Sequence, residues 1–142
     1  MSLVDPGAAG ATLAPQPPSR WWRFSLEALV WAVLLFGVEV LIATLGAPYP
    51  WLRGFVGDLL AVVWVYFVFR TVLAFPACLL ALAAFVVGCT VELGQYLAAA
   101  NGWKLTSPVL RTLLGSVPDW WDVLAYAAGF VLIMAGRMMR KG

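Results

Sequence analysis

Long apolar runs, separated by short stretches rich in polar residues, glycine and proline, dominate this chain. An α-helix needs about 20 residues to cross a bilayer, and four runs approach that length: Phe24–Gly46, Phe55–Phe75, Pro76–Ala100 and Trp121–Gly136. A helix satisfies its backbone hydrogen bonds internally, as the lipid interior requires. The pattern therefore predicts an all-α, polytopic membrane protein with four transmembrane helices in a bundle.

Composition agrees with this prediction, since 63% of the residues are hydrophobic, 11% are charged and the mean hydropathy is +0.92. Soluble domains contain about 25% charged residues. The segment Met1–Ser19 contains several Gly and Pro residues without apolar periodicity, so we predict a disordered cytoplasmic tail. Residues 20–142 are then a single transmembrane domain, with no separate soluble domain.

The distribution of basic residues indicates the orientation of these spans. Six of the nine Lys and Arg residues fall on one side, namely Arg20, Arg23, Arg70, Arg137, Arg140 and Lys141. Arg53, Lys104 and Arg111 fall on the other side. Because positive charges flanking helices favour the cytoplasm, we expect both termini to be cytoplasmic.

Carboxylates interrupt or border every apolar run, where a charge is unfavourable without a partner or a purpose. With alternating helix directions, Glu39, Asp58, Glu92 and Asp122 all fall in the outer third of the membrane. Polar residues from the same helices and from the outer loops complete a candidate polar cluster at the non-cytoplasmic rim. Its members are Glu39, Arg53, Asp58, Glu92, Gln95, Arg111, Asp122 and Tyr126.

A purely structural interpretation competes for each member of this cluster. Asp58 and Asp122 begin their helices and would meet the positive end of the helix dipole. Glu92, Gln95 and Tyr96 share one helical stripe, which could hydrogen-bond neighbouring helices, with Glu92 paired to Arg111. The spacing of Ala125 and Gly129 favours close helix approach.

The connection Lys104–Pro118 is neither long enough to span the membrane nor uniformly polar. Apolar residues alternate there with Thr, Ser and Arg111, which predicts a short amphipathic surface helix before the last span. Pro108 suits its first turn and Gly115 its end.

Other kinds of chemistry find little support in the sequence. The chain contains no His, so haem and zinc sites lack their usual ligands, and we predict no metal and no cofactor. The net charge of +2 and the scattered basic residues do not favour nucleic acid as a partner. No recognised catalytic motif is present, so no residue is predicted to be catalytic.

Several spaced motifs resemble a bacterial membrane family called domain of unknown function 2809. In chain order they are Arg53–Leu59, Val65-Tyr66, Arg70, Val91–Leu93 with Gln95, Arg111-Thr112, Leu114-Gly115, and Asp122–Tyr126 with Gly129. The resemblance covers about Arg53–Gly136. It implies a small multi-helix protein of the bacterial inner membrane, with no established activity.

A more distant similarity is to the VanZ-like membrane proteins, which also place Glu and Gln late in one helix, Arg in a connection, and Asp and Gly in the next helix. Where that family usually has Asn, this chain has Tyr126. This similarity implies a role connected with the cell envelope.

Three classes of function follow, all with the lipid bilayer as surroundings. The preferred interpretation is a non-enzymatic membrane subunit or binding module, whose polar rim holds helices, a second copy or a membrane protein partner. A transporter or proton-coupled carrier would use the buried carboxylates as proton-relay groups. A VanZ-like envelope enzyme would bind or act on a lipid-linked substrate, with Glu92 as general base and Arg53 and Arg111 gripping a phosphate.

Overall fold

Four long helices make up most of the part of the protein that the computed structural model describes, which is residues 21–45, 48–102 and 120–139. They are α1 (Leu26–Leu45), α2 (Gly57–Val72), α3 (Ala77–Ala100) and α4 (Trp120–Met139). With the turn that precedes α2, all four are long and apolar enough to cross a membrane. The prediction of an all-helical, four-span fold is confirmed, and the chain is a multi-pass membrane protein.

A π-helical turn, Leu52–Val56, leads directly into α2. The backbone N–H of Gly57 donates to the carbonyls of both Gly54 and Leu52 at this junction. The second span therefore begins at Leu52, earlier than the apolar run starting at Phe55 indicated. Hydropathy could not reveal this, because it records how apolar a residue is and not which carbonyl its N–H reaches.

α2 lies at the centre of the molecule, in contact with α1, α3 and α4, while α3 also packs against α4. α1 and α3 run antiparallel to α2, and α4 runs parallel to it. The helix ends near Asp58 are called the Asp58 end below, and the opposite ends the Arg70 end. The buried core comes from α2, α3 and α4 and consists of Val62, Val63, Tyr66, Leu80, Ala81, Ala84, Tyr126 and Ile133.

α1 is the peripheral helix, because its main contacts are with α2. Small side chains, Ala28 and Ala32, are its buried residues. The ring of Trp31 stacks on Phe67 with centroids 6.0 Å apart, and Phe36 meets Trp64 at the same distance. The remaining apolar side chains of α1 are largely exposed, as expected of a helix surrounded by lipid.

Backbone pairing joins the start of α1 to the end of α2. Trp22 and Leu73 form an antiparallel bridge, Arg23 N–H donates to the Val72 carbonyl at 3.1 Å, and Ala74 N–H donates to the Trp21 carbonyl at 3.0 Å. These peptide groups lie outside helices or, for Val72, in the last turn of α2, and they would otherwise need water. We call this pair of segments, residues 21–25 and 71–74, the backbone clamp.

α2 and α4 approach each other closely at Gly129. A Cβ atom added there would lie 2.6 Å from the Leu59 carbonyl oxygen and 3.2 Å from the Val62 Cβ. Gly129 and Ala125 are both buried. The close approach predicted from their spacing is confirmed.

Two predicted elements lie outside the described residues. They are the cytoplasmic tail over residues 1–19 and the amphipathic helix within Lys104–Pro118.

Candidate functional site at the Asp58 end

Two aspartates begin the two parallel helices and meet there. Asp58 lies in the first turn of α2 and Asp122 in the first turn of α4. Their side chains are hydrogen-bonded to each other. Each helix start carries a partial positive charge that stabilises acidic groups. A hydrogen bond between two carboxyl groups requires a proton on one of them, so this pair is suited to sharing a proton between the helices.

Glutamates from the other two helices lie within electrostatic range of Asp58. Glu92 of α3 is only 8% exposed, and Glu39 of α1 is half-buried. Both interact electrostatically with Asp58. All four helices thus contribute one acidic side chain to the same end of the molecule. We call Glu39, Asp58, Glu92 and Asp122 the carboxyl cluster.

Tyr126 adds a phenol to the carboxyl cluster from α4, one turn after Asp122. It is 6% exposed, and its hydroxyl lies within electrostatic range of Asp58, Asp122 and Glu92. Its ring lies on the backbone of Gly88 in α3, where an added Cβ would come within 3.0 Å of ring carbons. The absence of a side chain at Gly88 therefore makes room for the tyrosine.

Glu39 occupies an unusual position in the carboxyl cluster. Its Oε1 atom is buried, and among the described residues no group hydrogen-bonds to it. A carboxyl group at this depth is unfavourable unless it is neutral or compensated. Because α1 packs mainly on α2, Glu39 is the contribution of the peripheral helix to a site built on the other three.

The other members of the candidate polar cluster are placed differently. Gln95 is half-buried, and Arg53, in the π-helical turn, is exposed. Tyr96, expected on the same stripe as Glu92, is 59% exposed, so Glu92 is the buried member of that stripe. Arg111 lies outside the described residues.

Sequence reasoning missed three features beside the cluster. These are Gly88 under the ring of Tyr126, the π-helical turn before Asp58, and Cys89, whose side chain lies within electrostatic range of Glu92 and Tyr126. Gly88 is one turn before Glu92 on α3, so it lies on the same side of that helix. This four-residue spacing could have linked Gly88 to the cluster. The other two depend on how the helices pack.

The carboxyl cluster has a limited chemical repertoire. Within residues 21–45, 48–102 and 120–139, no group of three or more His, Cys, Asp or Glu side chains is arranged to hold a metal ion. Carboxyl and phenol groups exchange protons, accept hydrogen bonds and attract cationic groups. The arrangement is therefore suited to sharing protons between helices and to holding a cationic partner.

Most of the site lies in one continuous part of the sequence. Residues 47–130, more than half of the 142-residue chain, match the family described as Protein of unknown function (DUF2809). The chain belongs to this family. The DUF2809 match contains Asp58, Glu92, Asp122 and Tyr126, whereas α1 with Glu39 precedes it. The resemblance inferred from the spaced motifs is confirmed.

The other two comparisons found no further protein related to this DUF2809 protein. No curated protein and no solved structure matches the chain. What the carboxyl cluster does must therefore be argued from its own geometry.

Proposed function

We propose that this DUF2809 protein is a non-enzymatic membrane subunit or binding module of the bacterial inner membrane. Its carboxyl cluster ties four helices together and presents a polar site to a second copy or to a membrane protein partner. The observation that carries this proposal is the meeting of acidic side chains from all four helices around Tyr126.

The orientation that we propose places both termini in the cytoplasm and the carboxyl cluster at the non-cytoplasmic side. Support comes from the basic residues. Arg23, Arg70 and Arg137 lie near the Arg70 end of the helices, and Arg53 lies near the Asp58 end. Such an excess is typical of the cytoplasmic side.

The binding role rests on how acidic side chains behave in a membrane. They are unfavourable there and persist where they share protons, pair with cations or serve a site. The Asp58–Asp122 hydrogen bond compensates two of the four groups. A partner that brings a cationic group to the Asp58 end would compensate Glu39, whose buried Oε1 accepts no hydrogen bond from the described residues.

The Asp58–Asp122 pair provides the test. Asn is a close mimic of a protonated Asp and can still donate a hydrogen bond, so D58N should keep the thermal stability of the purified protein in detergent. D58A removes the hydrogen bond and should lower stability by about 1–3 kcal/mol. D122A should act similarly, and the D58A/D122A double variant should lose less than the sum because the two residues share one interaction.

An unchanged stability of D58A would contradict a structural role for the pair. Additive losses in the double variant would show that the two carboxyl groups act separately. Only the unchanged stability would mean that the carboxylates are kept for a reason other than holding the helices together.

A proton-coupled carrier is the second candidate, and it is favoured by the close approach of Asp58 and Asp122, a pair suited to sharing a proton. Here D58N is the informative variant, because it folds like the wild type but cannot release a proton. Proteoliposomes with a pH-sensitive dye inside should then show proton movement with wild type and none with D58N. Equal dye responses for wild type, D58N and empty liposomes would exclude this candidate.

A further inference from the structure

A groove lies at the Arg70 end, away from the carboxyl cluster. It is open, has a volume of about 550 Å³ and is lined by Trp22, Arg23, Phe24 and Val72. These four residues all belong to the two segments of the backbone clamp. Among the described lining residues, one cationic side chain thus lies beside aromatic and aliphatic neighbours.

We propose that this groove binds the phosphate headgroup of an anionic phospholipid, with Arg23 as the residue that contacts the phosphate. A guanidinium donates two parallel hydrogen bonds to a phosphate, and this favours Arg over a diffuse positive surface. The apolar walls formed by Phe24 and Val72 accommodate the first part of an acyl chain. A soluble anion would gain nothing from those walls.

The position of the groove fits a lipid headgroup. It lies where α1 begins and α2 ends, at the edge of the apolar spans. Trp21 and Trp22 are 59% and 56% exposed, and their ring centroids are 5.9 Å apart. Tryptophan collects at the boundary between headgroups and acyl chains, so these rings place the groove at headgroup level.

Arg23 is available for such a contact, unlike its neighbour Arg70. Arg70 donates a hydrogen bond to the Tyr66 hydroxyl at 3.0 Å, and its guanidinium lies 5.9 Å from the centre of the Tyr66 ring. The Arg23 side chain is exposed and makes no ion pair with any residue in the described ranges. Within the described ranges its guanidinium therefore remains open to an anion from outside the protein.

The backbone clamp also holds Arg23 in place before a lipid arrives. Its own N–H donates to the Val72 carbonyl at 3.1 Å, and Ser25 N–H donates to the Thr71 carbonyl at 2.9 Å. A fixed backbone reduces the ordering required on binding. This is a reason to expect a defined lipid site rather than transient attraction to the membrane surface.

Native mass spectrometry of the full chain in detergent would test this proposal, with phosphatidylglycerol and phosphatidylcholine of identical acyl chains as probes. We expect a preference for phosphatidylglycerol. R23Q should weaken that binding about tenfold, the effect of losing a charge-assisted hydrogen bond. R23K should retain part of the affinity, because it keeps the charge but loses the planar fork.

R137Q is the matched control, since Arg137 is in the last turn of α4, also at the Arg70 end, but does not line the groove. It removes the same charge and should leave phosphatidylglycerol affinity nearly unchanged. Equal losses for R23Q and R137Q would overturn the proposal in favour of non-specific attraction. Equal binding of the two lipids, or full displacement of phosphatidylglycerol by equimolar inorganic phosphate, would also overturn it.

Discussion

Gly129 determines how closely α2 and α4 can pack, because an added Cβ would overlap the Leu59 carbonyl oxygen at 2.6 Å. Backbone atoms cannot rotate away as a flexible side chain can. The two helices would have to separate, and that movement would also shift Asp58 relative to Asp122. The glycine at position 129 therefore supports the geometry of the carboxyl cluster.

We predict that G129A lowers the stability of the purified protein in detergent by about 1–3 kcal/mol, the usual effect of overpacking. G136A is the matched control on the same helix, because an added Cβ there meets nothing within 4 Å. Alanine favours a helix over glycine by about 1 kcal/mol, so G136A should be neutral or slightly stabilising. Thermal unfolding followed by circular dichroism would measure both. Equal behaviour of the two variants would contradict this account.

Tyr126 shows at the same scale what a sequence can and cannot reveal. Its place one turn after Asp122 identified it as a member of the candidate polar cluster. That its ring rests on Gly88 of α3 could not be foreseen, because the rotation of two helices about their axes is set by packing. The same limit applies to the stripe of Glu92, Gln95 and Tyr96, because its spacing did not indicate that Glu92 would be buried and Tyr96 exposed.

At the scale of elements, helix number and approximate position follow from hydropathy, and packing order does not. Each apolar run was long enough to be recognised on its own. Nothing in α1 indicated that it would pack mainly on α2, since its apolar residues surround the helix instead of forming one face. In lipid, an apolar surface can face either neighbours or acyl chains, so the pattern that reveals burial in soluble proteins is lost.

The packing of α1 on α2 gives a prediction for Ala28, which is 1% exposed. A28L should force α1 away from α2 and destabilise the protein by about 1–3 kcal/mol. V33L is the control, because Val33 on the same helix is 62% exposed and faces outward. Thermal stability in detergent would compare them. A loss as large in V33L as in A28L would show that α1 is held by contacts other than those described.

At the scale of the whole molecule, alternating helix directions place the two ends of the membrane domain on the same side. Basic residues at the Arg70 end then predict which side this is. A green fluorescent protein fused after Gly142 should fluoresce in bacterial cells, and alkaline phosphatase at the same position should be inactive. Phosphatase fused after residue 47, between α1 and α2, should be active and serves as the control. The reverse pattern would place the carboxyl cluster in the cytoplasm.

The backbone clamp has a consequence for how the chain enters the bilayer. Its hydrogen bonds join the residues just before α1 to the last residues of α2 and those that follow it, so the two antiparallel spans are tied together at the Arg70 end. The peptide groups of the clamp bond to each other only when both segments are present and otherwise need water. The two helices are therefore expected to insert as a single unit. The first span would reach its final position only after the second has been synthesised.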